Sequence, residues 1–318
     1  MSSEFELIRR YFTRPTQRAV LGVGDDCALI RTSPGMEIAL STDMLVEGRH
    51  FVAGTDAERL GRKCLAVNLS DLAACAAEPA YALLALALPD FDEPWVEAFS
   101  RGLFSMAERF GVDLVGGDTT RGPRTICITV AGEVPAGQAL RRSGAFVGDD
   151  IWISGPTGEA ALGLAHMQGE LVLPPDAAAA CLERLENPEP RVSLGLRLRG
   201  LASSAIDVSD GLLADLGHIA KASSVAMDVS LEHLPRAEAL KNCGDETLAL
   251  RCIAGGGDDY EIAFTAPAER RDEVFEIARA LGLQAARIGA VRRGSGVSLR
   301  DAAGNEIHLE RRGFDHFA

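Results

Sequence analysis

Six aspartates stand in unusual settings. Asp26, Asp43, Asp71, Asp118, Asp210 and Asp258 each lie at the end of an apolar run, beside glycine, or on an otherwise apolar helix. One Asp so placed is a turn, because its side chain bonds its own backbone. Six suggest convergence on a shared partner. Two carboxylates about 4 Å apart repel by roughly 4 kcal/mol at an effective dielectric near 20. Several together rival the ~5–15 kcal/mol that holds a domain folded, so such a cluster is tolerable only with cations. Carboxylates and hydroxyls without a Cys/His ligand set select Mg²⁺ rather than zinc or copper. Mg²⁺ takes one or two protein carboxylates and fills its octahedron with water and phosphate oxygens, so a polyphosphate ligand is expected.

Residues 41–51 (STDMLVEGRHF) concentrate this chemistry. Ser41, Thr42 and Asp43 close an apolar run that reads as a strand, and His50 follows Gly48 and Arg49. Oxygen ligands at a strand end, then a cationic, imidazole-bearing loop, suit a metal on one side and an anion on the other. A surface turn uses the same residues. Asn68 and Asp71 share one face of a predicted helix over 56–77, where an unpaired Asp would be costly to bury. In LGVGDDCALI (21–30) the glycines allow a left-handed backbone, and of the extended neighbours Asp25 and Asp26 only one can face a shared site. A hairpin turn explains that segment equally. Asp118 closes a β-run in GGDTTRG. Asp207, Ser209 and Asp210 precede a helix with Leu212, Leu213, Leu216 and Ile219 on one face, where Ser209 or Asp210 is also a candidate N-cap. Asp258 lies in GGGDDYEIAF (255–264), expected to run into an alternating strand. The glycine-rich turn in GDDIWISGPTGEAALGL (148–164) matches neither a P-loop nor GxGxxG, and reads as an ordinary strand-to-helix connection.

These residues need a scaffold of alternating elements. Phe5, Ile8 and Phe12 predict a short amphipathic helix over 4–12. Strand 37–43, helix 56–77, strand 80–88, helix 94–110, strand 112–116 and strand 125–134 then form a β-α-β-α-β-β unit of the split βαβ kind. Turn residues and loss of period over 135–148 mark a boundary, giving domains 1–136 and 137–318. The second half reads as strand, turn and helix, then strand 204–208, a helix, and alternating helix and strands over 270–310. The fold class is α/β (α+β) in two domains.

A chain of 318 residues with 47% apolar and 25% charged content buries a sizeable core. Its net charge of −14 argues against nucleic-acid binding, which needs a basic face. Seven Cys form no CxxC pair, as in a reducing, cytoplasmic compartment. The longest apolar run, 80–88, is too short to span a bilayer, so no membrane is expected as a partner.

GVGDDCAL, STDMLVEGRHF, AVNLSDLAA, GGDTTRG, AIDVSDGLLADLGHI, GGGDDYE and RGFDHFA, in that order, resemble the motifs of the thiamine-monophosphate kinase family. That family belongs to a superfamily with aminoimidazole ribonucleotide synthetase, selenophosphate synthetase and a hydrogenase maturation protein. The resemblance covers nearly the whole chain. It implies an N-terminal α/β domain whose sheet forms a dimer-spanning barrel, with a C-terminal α/β domain completing the cleft. It further implies a cytoplasmic homodimer that uses ATP and several Mg²⁺ ions to phosphorylate thiamine monophosphate. By motif, Asp26, Ser41, Thr42, Asp43, Asp71, Asp118, Asp207 and Asp210 would bind Mg²⁺. Gly117, Arg142 and Ser209 would contact ATP, and His50, Asp258 and Phe314 the acceptor. Asp258 stands where Glu is frequent in the family, and Phe314 where Tyr or Trp is. Phe keeps a stacking face but offers no polar group. No covalent nucleophile is evident. Other readings are another ATP-using synthetase of the superfamily, which residues 1–20 (no Cys or Lys) and the HFA ending disfavour, or a non-catalytic nucleotide- and metal-binding regulator.

Overall fold

The computed structural model describes residues 4–314, so Asp315, His316 and Phe317 of the tail motif lie outside the described residues. The chain forms two compact units. One is Met1–Leu72 with Ala77–Gly137, the other Ala73–Ala76 with Gln138–Ala318.

In the first unit, α1 (Glu4–Leu7) passes into a π-helical turn at Ile8–Phe12. This departs from the expected single helix. The widened turn buries Leu7, Tyr11 and Phe12, while Phe5 of the expected apolar stripe stays exposed. Strand β1 (Met36–Val46), helix α2 (Ala57–Ala74), strand β2 (Glu78–Leu88), helix α3 (Glu93–Phe110) and strands β3 (Asp113–Arg121) and β4 (Thr125–Pro135) follow. The sheet order is β1-β4-β2-β3. β4 runs antiparallel to both β1 and β2, so it splits a parallel β1-α2-β2 unit, while β3 lies parallel to β2. The predicted split βαβ arrangement is therefore present. Two strands run further than predicted. β1 pairs with β4 from Met36 to Val46, and β3 pairs with β2 out to Arg121. Ser41, Thr42, Asp43, Gly117 and Asp118 thus sit within strands instead of ending them, because unbroken pairing with a neighbour outweighs their turn preference.

One sheet face carries Ile126, Ile128 and Val130 of β4, all fully buried, and Leu72 of α2 reaches over Gly132 on the same face. Helices α2 and α3 cross at Gly61 and Gly102. A Cβ on Gly102 would lie 1.8 Å from the Glu58 carbonyl oxygen, and one on Gly61 2.1 Å from that of Phe99, so only glycine permits this approach. Asp92 caps α3 by accepting from the Trp95 N–H at 3.2 Å, and Gly111 closes it in the left-handed conformation at φ 65°. The opposite sheet face is different. Leu40 (69% exposed), Met44 (56%) and Leu83 (42%) leave it open and apolar.

The second unit contains β5 (Asp150–Ile153), α4 (Glu159–Met167), α5 (Pro175–Glu186), α6 (Val192–Arg197), β6 (Ser204–Asp207), α7 (Leu212–Ser223), β7 (Ala226–Ser230), α8 (Glu238–Lys241) and α9 (Glu246–Gly255). It ends in β8 (Ile262–Ala266), α10 (Arg271–Ala280), β9 (Ala286–Arg292), β10 (Gly296–Arg300) and β11 (Glu306–Ile307). Its sheet order is β11-β10-β7-β9-β5-β8-β6, with β10 parallel to β7 and every other pair antiparallel. The predicted face of α7 is borne out, since Leu212, Leu213, Leu216 and Ile219 are all in the core. The alternating strand expected after Asp258 is not. β8 begins only at Ile262 and is buried at all five positions, being an inner strand covered on both faces.

Candidate active site

Ser41 and Asp43 lie two residues apart on β1 and so point to one face, where α2 meets them. The Ser41 hydroxyl donates to Asp71 Oδ2 at 2.5 Å, and the Asp43 N–H donates to Asn68 Oδ1 at 3.1 Å. Asn68 is fully buried, and its amide donates to the Cys64 carbonyl at 2.9 Å, which turns Oδ1 toward the strand. The three-residue spacing of Asn68 and Asp71 is thereby explained: both reach β1 from one side of α2. A hydroxyl against a carboxylate, with a second carboxylate two residues along, is a set of hard oxygen donors and fits Mg²⁺. Among the described residues no group of three His, Cys, Asp or Glu side chains stands ready to hold an ion.

Thr42 points to the other face, where its hydroxyl lies 2.8 Å from that of Thr129. The register puts Thr42 beside Thr129 and Leu83, and Asp118 beside Ala85, so Thr42 and Asp118 share the open face. They sit on opposite edge strands, three inter-strand steps or roughly 14 Å apart. A cavity of ≈ 940 Å³ on this face is lined by Asp26, Gly117, Asp118 and Thr129, with Leu40 and Leu83 among its apolar walls. Gly117 has φ 145°, and a Cβ there would fall 1.8 Å from the Leu84 carbonyl oxygen. The Asp26 segment is a loop closed by an antiparallel Leu21–Leu29 bridge, in keeping with the hairpin alternative.

His50 caps the end of β1. Its Nδ1 accepts the Val46 N–H at 3.0 Å, so in this arrangement the ring is the neutral tautomer with its proton on Nε2. The loop is held by the Gly48 N–H donating to the Phe51 carbonyl at 2.7 Å, and by a 2.7 Å ion pair between Arg124 and Glu47. Arg124 also lies 4.8 Å over the Trp95 ring.

In the second unit the residues gather on the turn after β6. Asp207 is buried at the strand's end. The Ser209 carbonyl accepts the Asp258 N–H, and the Asp210 carbonyl accepts the Phe314 N–H, each at 2.9 Å. The structure thus brings Asp207, Ser209, Asp210, Asp258 and Phe314 together, with the Phe314 side chain half exposed. Arg142 is exposed on the segment flanking β6, whose Arg141 carbonyl accepts the Ala205 N–H at 3.0 Å. Neither Ser209 nor Asp210 caps α7, so the N-cap alternative does not hold. Asp215, inside the helix, instead holds the turn that precedes it: its carboxylate accepts N–H donors from Ser209, Asp210 and Gly211 at 3.1–3.2 Å. Burial pushes the Asp215 carboxyl up to about 7, and the nearby Asp210 charge adds to this against the three N–H donors. Its signal in the sequence was one acid amid the apolar run of α7.

Two further acids were missed, Asp259 and Glu261, which follow Asp258 on the inward side. Asp259 receives the Gly158 N–H on both oxygens at 2.9 and 2.8 Å. This consumes a donor of the 154–158 turn and agrees with its reading as a structural connection. Burial holds the Asp259 carboxyl well above its ordinary value. Glu261, also fully buried, meets Arg184 at 2.7 Å, the Arg191 guanidinium, and the Ser154 hydroxyl at 2.5 Å. Burial would raise its pKa, but the Arg191 pair and Arg184 reverse this and hold it lowered.

Residues 24–134 match the model for the AIR synthase related protein N-terminal domain, and residues 146–302 that for its C-terminal domain. Fold and site together define an AIR synthase related protein. The chain is 44% identical to the thiamine-monophosphate kinase of Salmonella typhimurium strain LT2, over 99% of this chain and 98% of that one. Its fold matches the crystal structure of thiamine-monophosphate kinase from Stenotrophomonas maltophilia K279a with TM-score 0.85 and 46% identity, covering 93% and 94% of the two chains. It also matches AaThiL complexed with AMPPCP and TMP, with TM-score 0.78 and 29% identity, covering 90% and 89%. The chain belongs to the thiamine-monophosphate kinase family, and it is an enzyme.

Proposed function

We propose that this chain transfers the γ-phosphoryl group of ATP to thiamine monophosphate, forming thiamine diphosphate and ADP, the last step of thiamine diphosphate biosynthesis. The observation that carries the reading is the oxygen-donor set on β1 and α2, Ser41 against Asp71 with Asp43 beside Asn68, in a chain alike end to end to kinases of that name. The relative complexed with AMPPCP and TMP supports the same pair of substrates.

Mg²⁺ would be held by Asp26, Ser41, Thr42, Asp43, Asp71, Asp118, Asp207 and Asp210, and would supply charge neutralisation between the two phosphate chains. Gly117, Arg142 and Ser209 would bind ATP. Gly117 would do so through its backbone, since its missing side chain is required by the close approach of Leu84. The acceptor is a phosphate oxygen already ionised at neutral pH, so positioning and electrostatics suffice without a strong general base. His50 would donate from Nε2 to the acceptor phosphate, Asp258 would meet its cationic thiazolium, and Phe314 would stack on a flat ring. Arg142 would offset negative charge gathered in transfer. Transfer would be direct, from ATP to the acceptor phosphate without a phosphoenzyme.

A cytoplasmic homodimer is part of this reading. Thr42 and Asp118 lie on opposite edge strands of the sheet, and its open face is apolar, as a surface covered by a second copy would be. The seven cysteines, none of them in a disulfide among the described residues, support a reducing compartment, and no described helix is long and apolar enough to cross a membrane.

Incubation of the protein with Mg-ATP and thiamine monophosphate, with chromatography of the nucleotides and thiamine species, tests the proposal. Equal amounts of thiamine diphosphate and ADP are expected. AMP in place of ADP, or ATP hydrolysis with no diphosphate formed, sinks it.

A further inference from the structure

The segment carrying Asp258 has a backbone conformation that L-residues rarely adopt. Asp258 has φ 66° and Tyr260 φ 52°, two non-glycine residues in the left-handed region two positions apart. Such residues persist only where the surroundings over-determine them. Here the surroundings are visible. The intervening Asp259 and the following Glu261 are anchored inward, on Gly158 and on Arg184, Arg191 and Ser154 respectively. The outer edge is tied as well, with the Asp258 and Tyr260 N–H groups donating to the Ser209 and Val208 carbonyls at 2.9 Å each. Gly257 allows the close approach, since a Cβ there would lie 2.3 Å from the Ser209 carbonyl oxygen.

Because both residues bend through the left-handed region, their side chains come to the same side. The Tyr260 hydroxyl donates to Asp258 Oδ1 at 3.1 Å. Neither side chain is fully buried, so the bond is not needed to satisfy a desolvated group. Its consequence is orientational: one carboxylate oxygen is fixed and the carboxyl plane is turned. The Asp side chain is short, so its direction decides what it can reach.

We propose that Tyr260 is a positioning residue that sets the orientation of Asp258 and thereby the affinity for the thiamine phosphate acceptor. This rests on the reading that Asp258 meets that acceptor.

The test is a double-mutant cycle in the full-length protein with Tyr260→Phe, Asp258→Asn and the pair, with KM measured separately for thiamine monophosphate and Mg-ATP. Tyr260→Phe removes one oxygen and is expected to raise the acceptor KM about tenfold, the equivalent of one ordinary hydrogen bond, with the ATP KM held. Asp258→Asn is expected to raise it further, and the double variant to match Asp258→Asn alone, since Tyr260 acts through Asp258. A general disturbance of the site would raise both KM values or add in the double variant, and either pattern overturns the proposal. So does an unchanged acceptor KM in Tyr260→Phe when Asp258→Asn raises it. If Asp258→Asn leaves the acceptor KM unchanged, the Asp258 reading fails first and the positioning role with it.

Discussion

His50 shows how much one side chain's hydrogen bonding can decide. Its Nδ1 is spent on the Val46 N–H, so toward a ligand the ring would act through Nε2, as a donor. Asparagine at this position separates the two roles. Its Oδ1 can take the place of Nδ1 and keep the loop closed, while nothing replaces the Nε2 donor. His50→Asn should therefore melt with the parent protein and show an acceptor KM raised about tenfold, as for one lost charge-assisted bond. Equal losses for ATP and acceptor would contradict this division. The sequence disclosed His50 as a polar ring in a loop but not its tautomer, which depends on a backbone donor four residues earlier. Asp215 was hidden for a related reason: a helix-interior acid looks like any surface charge until the turn preceding its helix is seen folded onto it.

The elements themselves were largely legible, because the apolar periods of α2, α3 and α7 and the runs of β2 and β4 are strong. Strand extents were not. Ser, Thr, Gly and Asp read as punctuation, and only pairing with β4 and β2 carries β1 and β3 through them. The ties between elements were equally invisible, and Asp150 is the clearest. This buried carboxylate on β5 meets Arg271 of α10, with Nη2 to Oδ1 at 2.8 Å, and Arg287 of β9 at 3.3 Å. Burial pulls its pKa up, but Arg271 and then Arg287 outweigh this and hold it below the usual 3.8. A carboxylate lowered in the folded state contributes stability at pH above its unfolded value, and loses it as pH falls through the folded one. Asp150→Asn should then cost about 2–3 kcal/mol at pH 7, less than the ~3–5 of a wholly buried pair because both guanidiniums are partly exposed. Denaturant unfolding of both proteins from pH 7 downward checks it. The gap between them should narrow as pH drops below 3.8, and a gap constant with pH would place the loss in packing instead.

At the scale of the molecule, the open face of the first sheet needs explaining. A sheet covered on one side is normally polar on the other, yet this one shows water Leu40, Met44 and Leu83. Burying such side chains is worth roughly 1.5–3 kcal/mol each, so a second copy covering this face gains several such terms at once. Against this stands the charge, −14 on each copy, whose repulsion is screened over about 10 Å at 0.1 M salt. An assembly driven by apolar burial and opposed by like charge should tighten with added salt. Sedimentation should accordingly give twice the 33.7 kDa chain mass, with dissociation on dilution most evident at low ionic strength. Leu83→Asp places a carboxylate in the middle of the proposed contact, while costing the isolated chain little because Leu83 is 42% exposed there. That variant should sediment as a monomer with unchanged circular dichroism. It should also lose most turnover, because Thr42 and Asp118 then have only opposite edges of one sheet to offer. A fully active monomer, in either the variant or the parent protein, would show that each chain works alone and that the open face has another use.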